Sequence, residues 1–216
     1  MRSFEAETGK LLWKFDINPK ATKRKHDRNL FLNSPVFHEG RIYLAGGRGV
    51  EAGAGPGRLV CLDPSNRGDL SLELEDPSGG GKPNPNSGAV WHFDELGSTM
   101  SNVAIHDGLV VAVDLRGFVY CLDAATGRKL WQHDTTAHVW GSPLVADGKI
   151  YVGNEDGDFC VIELAREKKL LFTTAFDAPV YSSPIFANGV LYIATNGELF
   201  AIQQGASSPR TRPAKP

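Results

Sequence analysis

Apolar and polar residues alternate along most of this chain in short runs, the spacing of half-buried strands, and clusters of Asp, Asn, Thr and Gly separate them. The clearest stretch is FVYCLDAATGRKLW, from Phe118 to Trp131. Alternation around Val119, Cys121, Leu130 and Trp131 predicts a strand over Phe118 to Leu122, a turn on Asp123, Thr126 and Gly127, and a second strand ending at Trp131. The phrase returns as FEAETGKLLW (Phe4 to Trp13), as CLDPSNRG resumed by GAVWHF (Gly88 to Phe93), and in decayed form as CVIELAREKKLLF (Cys160 to Phe172). One unit has been copied.

Subtraction fixes the period. Ser-Pro, an apolar pair and Gly occur as SPVFHEG, SPLVADG and SPIFANG, with the Pro-less copy NVAIHDG. The glycines are Gly40, Gly108, Gly148 and Gly189, spaced 68, 40 and 41; the closing aromatics Trp91, Trp131 and Phe172 are spaced 40 and 41, with Trp13 ahead of them. The long interval is one unit with an insertion of about 27 residues, which repeat proteins place in loops on one face.

Each unit predicts four strands: in the third, SPLVA, KIYVG, DFCVIEL and KKLLFTTAF. Asp147-Gly148 is a two-residue hairpin signal, and Glu39-Gly40, Asp107-Gly108 and Asn188-Gly189 hold its place elsewhere. Four-stranded units at this period predict an all-β β-propeller of about four antiparallel blade units, each burying its faces against its neighbours. Trp13, Trp91, Trp131 and Phe172 are the expected wedges between blades. The last unit stops one strand short near Leu199 to Ile202, and the orphan strand Lys10 to Phe15 is expected to complete it. The blades are assigned to residues 1–204, with loop insertions at 16–32 (basic and exposed), 46–57 (a Gly/Ala linker) and 69–87 (a Pro/Gly/Asn loop with no core), and a disordered tail over 205–216.

Composition narrows the function classes. The chain has 216 residues, 41% hydrophobic, enough for a sizeable core, and its formal net charge of -2 gives no general case for nucleic acid or an anionic membrane. No apolar run is long enough to span a bilayer, and MRSFEAETGK lacks a signal-peptide core, so the chain is expected to start inside a longer architecture. Cys61, Cys121 and Cys160 fit no metal spacing and are expected to be buried, one per repeat at one position.

AETGKLLW and DAATGRKLW, with GSPLVADGKIYVG and SSPIFANGVLYIA, resemble the tryptophan-docking repeats of the PQQ-binding-like (quinoprotein-type) β-propeller proteins of bacteria. The resemblance covers all but the insertions and tail. It implies a propeller fold, a larger ring of seven or eight blades to which this chain would contribute a C-terminal half, and a periplasmic or extracytoplasmic home. Some members are quinone-dependent dehydrogenases; others resemble the outer-membrane assembly lipoprotein, a scaffold. The dehydrogenases use an Asp base, calcium under the quinone and often a vicinal cysteine pair. This chain has neither that pair nor a CxxCH haem signature. PQQ with calcium is therefore expected only under the alternative of an oxidoreductase fragment, and no cofactor otherwise.

Other candidate chemistry is thin. GNEDGD (Gly153 to Asp158) carries three carboxylates but lacks the EF-hand spacing and reads as a hairpin turn, not a metal site. GGRGVEAGAGPG lacks the Lys-Ser/Thr of a phosphate loop. The six histidines (His26, His38, His92, His106, His133, His138) share no tight spacing. Lys20, Lys23, Arg24, Lys25 and Arg28 form a solvated basic loop able to meet an acidic partner. Repeat alignment supplies the one sharper candidate. Leu32, Met100, Trp140 and Tyr181 fall three residues before the Pro position, and Ser34, Asn102, Ser142 and Ser183 one before it. Both rings would lie where the chain enters the innermost strands, at one channel mouth, with His138 beside Trp140. No residue is assigned a catalytic or metal-binding role. The expected function is a non-catalytic interaction, scaffold or ligand-binding module whose partner is a protein or a second propeller half, without nucleic acid or a transmembrane segment.

Overall fold

The computed structural model describes residues 1–48 and 55–205. The fold is all-β, with one short 3-10 turn at Lys25–Asp27. No helix among the described residues is long and apolar enough to cross a membrane.

The chain opens with the hairpin β1 (Arg2–Phe4) and β2 (Leu11–Lys14). The first full blade contains β3 (Val36–His38), β4 (Arg41–Gly47) and β5 (Gly57–Leu62); after an insertion with β6 (Gly68–Asp69), β7 (Glu73–Glu75) and β8 (Gly81–Pro83), it is closed by β9 (Ala89–Phe93). The second blade is β10 (Ala104–His106), β11 (Leu109–Val113), β12 (Phe118–Asp123) and β13 (Lys129–Asp134). The third is β14 (Leu144–Ala146), β15 (Lys149–Gly153), β16 (Asp158–Glu163) and β17 (Leu170–Ala175). The last sheet has three strands, β18 (Ile185–Ala187), β19 (Val190–Ala194) and β20 (Leu199–Gln203). All ladders within these four sheets are antiparallel and follow sequence order from the innermost strand outward.

The four expected hairpins form as read. Glu39, Asp107, Asp147 and Asn188 take φ of 47, 49, 50 and 53°, each followed by a glycine at 65 to 76°. Two successive positive φ values define the turn whose twist matches that of the flanking strands.

Four apolar cores lie between successive sheets. Trp91 is buried between the first and second blades, and its indole N–H donates to the Ala124 carbonyl at 2.9 Å. Trp131 does the same one interface on, donating to Ala165 at 2.9 Å. Burying an aromatic of this size is worth about 1.5–3 kcal/mol, and the hydrogen bond keeps the ring N–H satisfied. Trp13 is buried against Leu44, Val60 and Leu70.

Five expectations are corrected. The N-terminal strand does not complete the last sheet: β2 pairs with β1 and, in parallel, with β6, because the insertion supplies a nearer edge. Phe172 is 58% exposed and wedges into nothing among the described residues. The 69–87 insertion does contribute a core, since Leu70 is fully buried and Asn84 donates to the Asp69 and Ser71 carbonyls. The 16–32 segment is not a free basic loop: Ile17 is fully buried, and Lys20 and Arg28 both pair with Asp16, at 3.2 and 2.6 Å. Cys160 is out of step with its counterparts. Cys61 and Cys121 face their tryptophans, whereas in the third blade Val161 faces Phe172. A spacing of 39 instead of 40 puts Cys160 on the opposite face, in the core that holds Cys121. All three cysteines are buried free thiols, and burial pushes Cys121 and Cys160 up to about 12. Of the expected 46–57 linker, Gly46, Gly47 and Gly57 belong to β4 and β5, and the rest lies largely outside the described residues, as does the tail beyond Gly205.

Candidate functional site

Each blade has two ends. At one, hairpin glycines meet the turns that carry the repeat phrase: Ala124 N–H donates to the Gly108 carbonyl and Leu164 N–H to Gly148, both at 2.9 Å. At the other, the chain leaves an outermost strand, crosses, and enters the next innermost strand. There the turn between the second and third strands bonds to the crossing segment. Leu115 N–H donates to Ser98 (2.8 Å), Glu155 to His138 (2.9 Å) and Asn196 to Pro179 (2.9 Å). One frame recurs, so what differs between units is the side chains it presents.

The small polar residues expected at this mouth are brought together, in an unexpected way. Ser34 N–H donates to Asn102 Oδ1 (2.8 Å), Asn102 N–H to Ser142 Oγ (2.9 Å), and Ser142 N–H to Ser183 Oγ (2.8 Å). Each side chain accepts from the backbone of the preceding unit, so the ring stitches innermost strands to one another. Such bonds also keep backbone donors satisfied where the strands converge.

The large residues fall into two groups. Leu32 and Tyr181 are exposed and Met100 and Trp140 half-buried, and Trp140 and Tyr181 meet edge to face with centroids 6.3 Å apart. Gly141 permits that contact: a Cβ there would lie 2.6 Å from the Ser182 carbonyl oxygen, so any side chain would push the next crossing segment away. Ser101 Oγ donates to the Gly141 carbonyl (2.9 Å), fixing the crossing from its other side. His138 stacks, offset, on Trp140, with centroids 6.2 Å apart and planes 19° from parallel.

Glu155 was missed as a site residue. In the sequence it is one of three carboxylates in a hairpin turn, and the turn is indeed held by Asn154, whose Oδ1 accepts from the Asp156 and Asp158 N–H groups. Trp140 Nε1–H, however, donates to Glu155 Oε2 at 2.9 Å, and His138 Nδ1 lies 3.1 Å from Oε1. The available signal was positional: where the second unit places the buried Leu115, the third places an acid beside its only Trp-His crossing.

The other candidates stay apart. His38 and His106 flank hairpin turns at the opposite end. His133 borders a groove of about 390 Å³ on the outer flank, lined also by Thr135 and Thr174 and by none of the mouth residues; burial there, with Lys168 nearby, lowers its pKa.

Residues 82–167 match the family model described as outer membrane protein assembly factor BamB. The curated relatives differ in function. The chain is 31% identical over 88 residues to the 1-butanol dehydrogenase (cytochrome c) of Thauera butanivorans (38% of this chain, 12% of the relative). It is 28% identical over 177 residues to the serine/threonine-protein kinase AfsK of Streptomyces griseus (71% and 21%). It is 28% identical over 107 residues to the outer membrane protein assembly factor BamB of Yersinia pestis (44% and 27%). In each case the matched part is under a third of the relative's length. Among solved structures, BamB of Moraxella catarrhalis superposes with a TM-score of 0.61 at 16% identity, covering 90% of this chain and 50% of that one. The quinohemoprotein alcohol dehydrogenase ADHIIG of Pseudomonas putida gives 0.57 at 16%, covering 85% and 30%. Repeat phrases, stacked four-stranded sheets and these matches agree on a β-propeller repeat fold, and residues 82–167 carry the similarity to the PQQ-like repeats.

Proposed function

We propose that the chain is a non-catalytic interaction module, extracytoplasmic in location, whose Trp140–Tyr181 end docks a protein partner or a second propeller half. The supporting observation is how the mouth is used. Its small polar residues are committed to blade-to-blade bonds, and what remains accessible is an aromatic surface set on a rigid, hydrogen-bonded frame. That is the make-up of a recognition surface. The similarity to assembly factors favours the same reading.

The alternative, part of a quinoprotein oxidoreductase, is favoured by the similarity to the butanol dehydrogenase. PQQ with calcium belongs to that reading alone. No three His, Cys, Asp or Glu side chains converge among the described residues, and the cysteines sit in the cores between blades, away from the mouth.

The test places a photoreactive p-benzoylphenylalanine at Tyr181 or, as a control at the opposite end, at His106, in cells making the protein. A discrete adduct at Tyr181 alone is expected; equal labelling, or none, overturns the reading. Calcium- and PQQ-dependent dye reduction by the purified chain would establish the oxidoreductase instead.

A further inference from the structure

We infer that the corner formed by His138, Trp140, Tyr181 and Glu155 binds an arginine side chain of the partner. This deepens the interaction reading above and rests on it.

Charge is the first argument. Several acids tied into this fold are matched by cations of the chain itself: Asp16 by Lys20 and Arg28, Asp69 by Lys14, Asp114 by Arg116, Asp123 by Arg166 and Glu163 by Lys169. Glu155 is different. Among the described residues no lysine or arginine pairs with it; its donors are the Trp140 indole N–H and His138. Each carboxylate oxygen offers more than one lone pair, so the indole N–H and the His138 ring leave acceptor capacity unused.

Geometry is the second. The indole N–H and the Glu155 backbone bond to His138 hold the carboxylate in place, so little side-chain freedom is lost on binding. Trp140 and Tyr181 stand nearly perpendicular, at 85°, and the Trp140 indole N–H bonds the Glu155 carboxylate, so rings and acid meet at one corner. Tyr181 remains 47% exposed, open to an incoming group. A flat cation that stacks on an aromatic face while donating sideways to a carboxylate suits this arrangement. Guanidinium does both, whereas an ammonium gains only the point charge.

The repeat supplies an internal control. The same frame in the second unit carries Ser98, Met100 and Leu115, with neither acid nor ring. The third unit alone has the full set, so the corner is not a by-product of how the blades join.

The test titrates the intact chain with N-acetyl-L-arginine amide, its lysine counterpart and the neutral isostere N-acetyl-L-citrulline amide, following the Trp140 indole N–H resonance. Arginine amide is expected to shift it saturably in the millimolar range, with lysine several-fold weaker and citrulline at least tenfold weaker. Glu155→Gln and Tyr181→Leu should each weaken arginine binding at least fivefold with the melting midpoint unchanged, and the surface control Glu7→Gln should not. Equal response to citrulline, no saturable shift with arginine, or indifference to Glu155→Gln overturns the inference. An adduct at Tyr181 in cells together with no arginine response would sink this inference alone and leave the interaction module standing.

Discussion

Glu39 is the odd member of a set. At the same turn position the other units use Asp107, Asp147 and Asn188, whose short side chains tolerate a left-handed backbone better than glutamate does. Glu39→Asn should therefore raise stability by about 0.5 kcal/mol, read as a higher denaturant midpoint at constant slope; a fall would mean that Glu39 makes a compensating contact. Gly127 carries a larger constraint. It has φ of 71°, and a Cβ would lie 2.5 Å from the Trp91 ring. Gly9 stands at the same place in the first copy of the phrase, with φ of 70° and open space around it. The pair separates backbone strain from packing. Gly9→Ala should cost about 1 kcal/mol and Gly127→Ala about 2–4 kcal/mol, with the excess coming from a displaced tryptophan. Equal losses in urea melts would show that the Trp91 contact relaxes freely.

Strands and their hairpins were legible because alternation and Asx-Gly pairs are local signals. What escaped has a non-local cause. Just before each expected wedge position the ladder slips, as between Cys61 and Leu62 and again between Cys121 and Leu122, so one residue of the outer strand is unpaired. Nothing in the strand's own residues announces that bulge. The insertions misled for the opposite reason. Their Gly, Pro and basic content describes most of their length, but single residues such as Ile17 and Leu70 decide the packing. Asp16 organises the first insertion: burial pushes its pKa up, but the Asn18 N–H, Arg28 and Lys20 together outweigh that and hold it at about 2. Its folded pKa lies below the ordinary 3.8, so the carboxylate adds stability above about pH 4 and loses it as pH falls toward 2. Asp16→Asn should lower the melting midpoint at pH 7 and flatten its fall between pH 4 and 2; an unchanged acid limb would show that the pairing carries no stability.

At the scale of the molecule, the four cores among the described residues are nearest-neighbour interfaces, and the last sheet keeps one face uncovered by those residues. Leu199 is 68% exposed, with Ile185 beside it in the same sheet. Their counterparts in the second blade, Val119 and Ala104, pack against the third. An apolar face of this kind drives association in water. The isolated chain is expected to self-associate, and Leu199→Lys with Ile185→Lys to shift it toward monomer in light scattering; a monomer before substitution would refute this. The repeat pattern made the number of blades readable, because it depends on spacing alone. The acid–aromatic corner was only half readable: Trp140, Tyr181 and His138 are near one another along the repeat register, whereas Glu155 reaches them through a turn from the neighbouring strand pair.

The bonds from Ser34 to Asn102, Asn102 to Ser142 and Ser142 to Ser183 all run the same way, backbone of one unit to side chain of the next. Asn102 and Ser142 thus each carry one half of the joint behind and one half of the joint ahead, within a single residue. A tandem duplication copies both halves at once, so a newborn unit arrives already able to connect on either side before any further mutation. Asn102 in a series otherwise made of serines marks how far that joint tolerates drift: any short side chain with an oxygen in reach serves. Order can be extended or rotated under such a rule, but the direction of reading cannot be reversed.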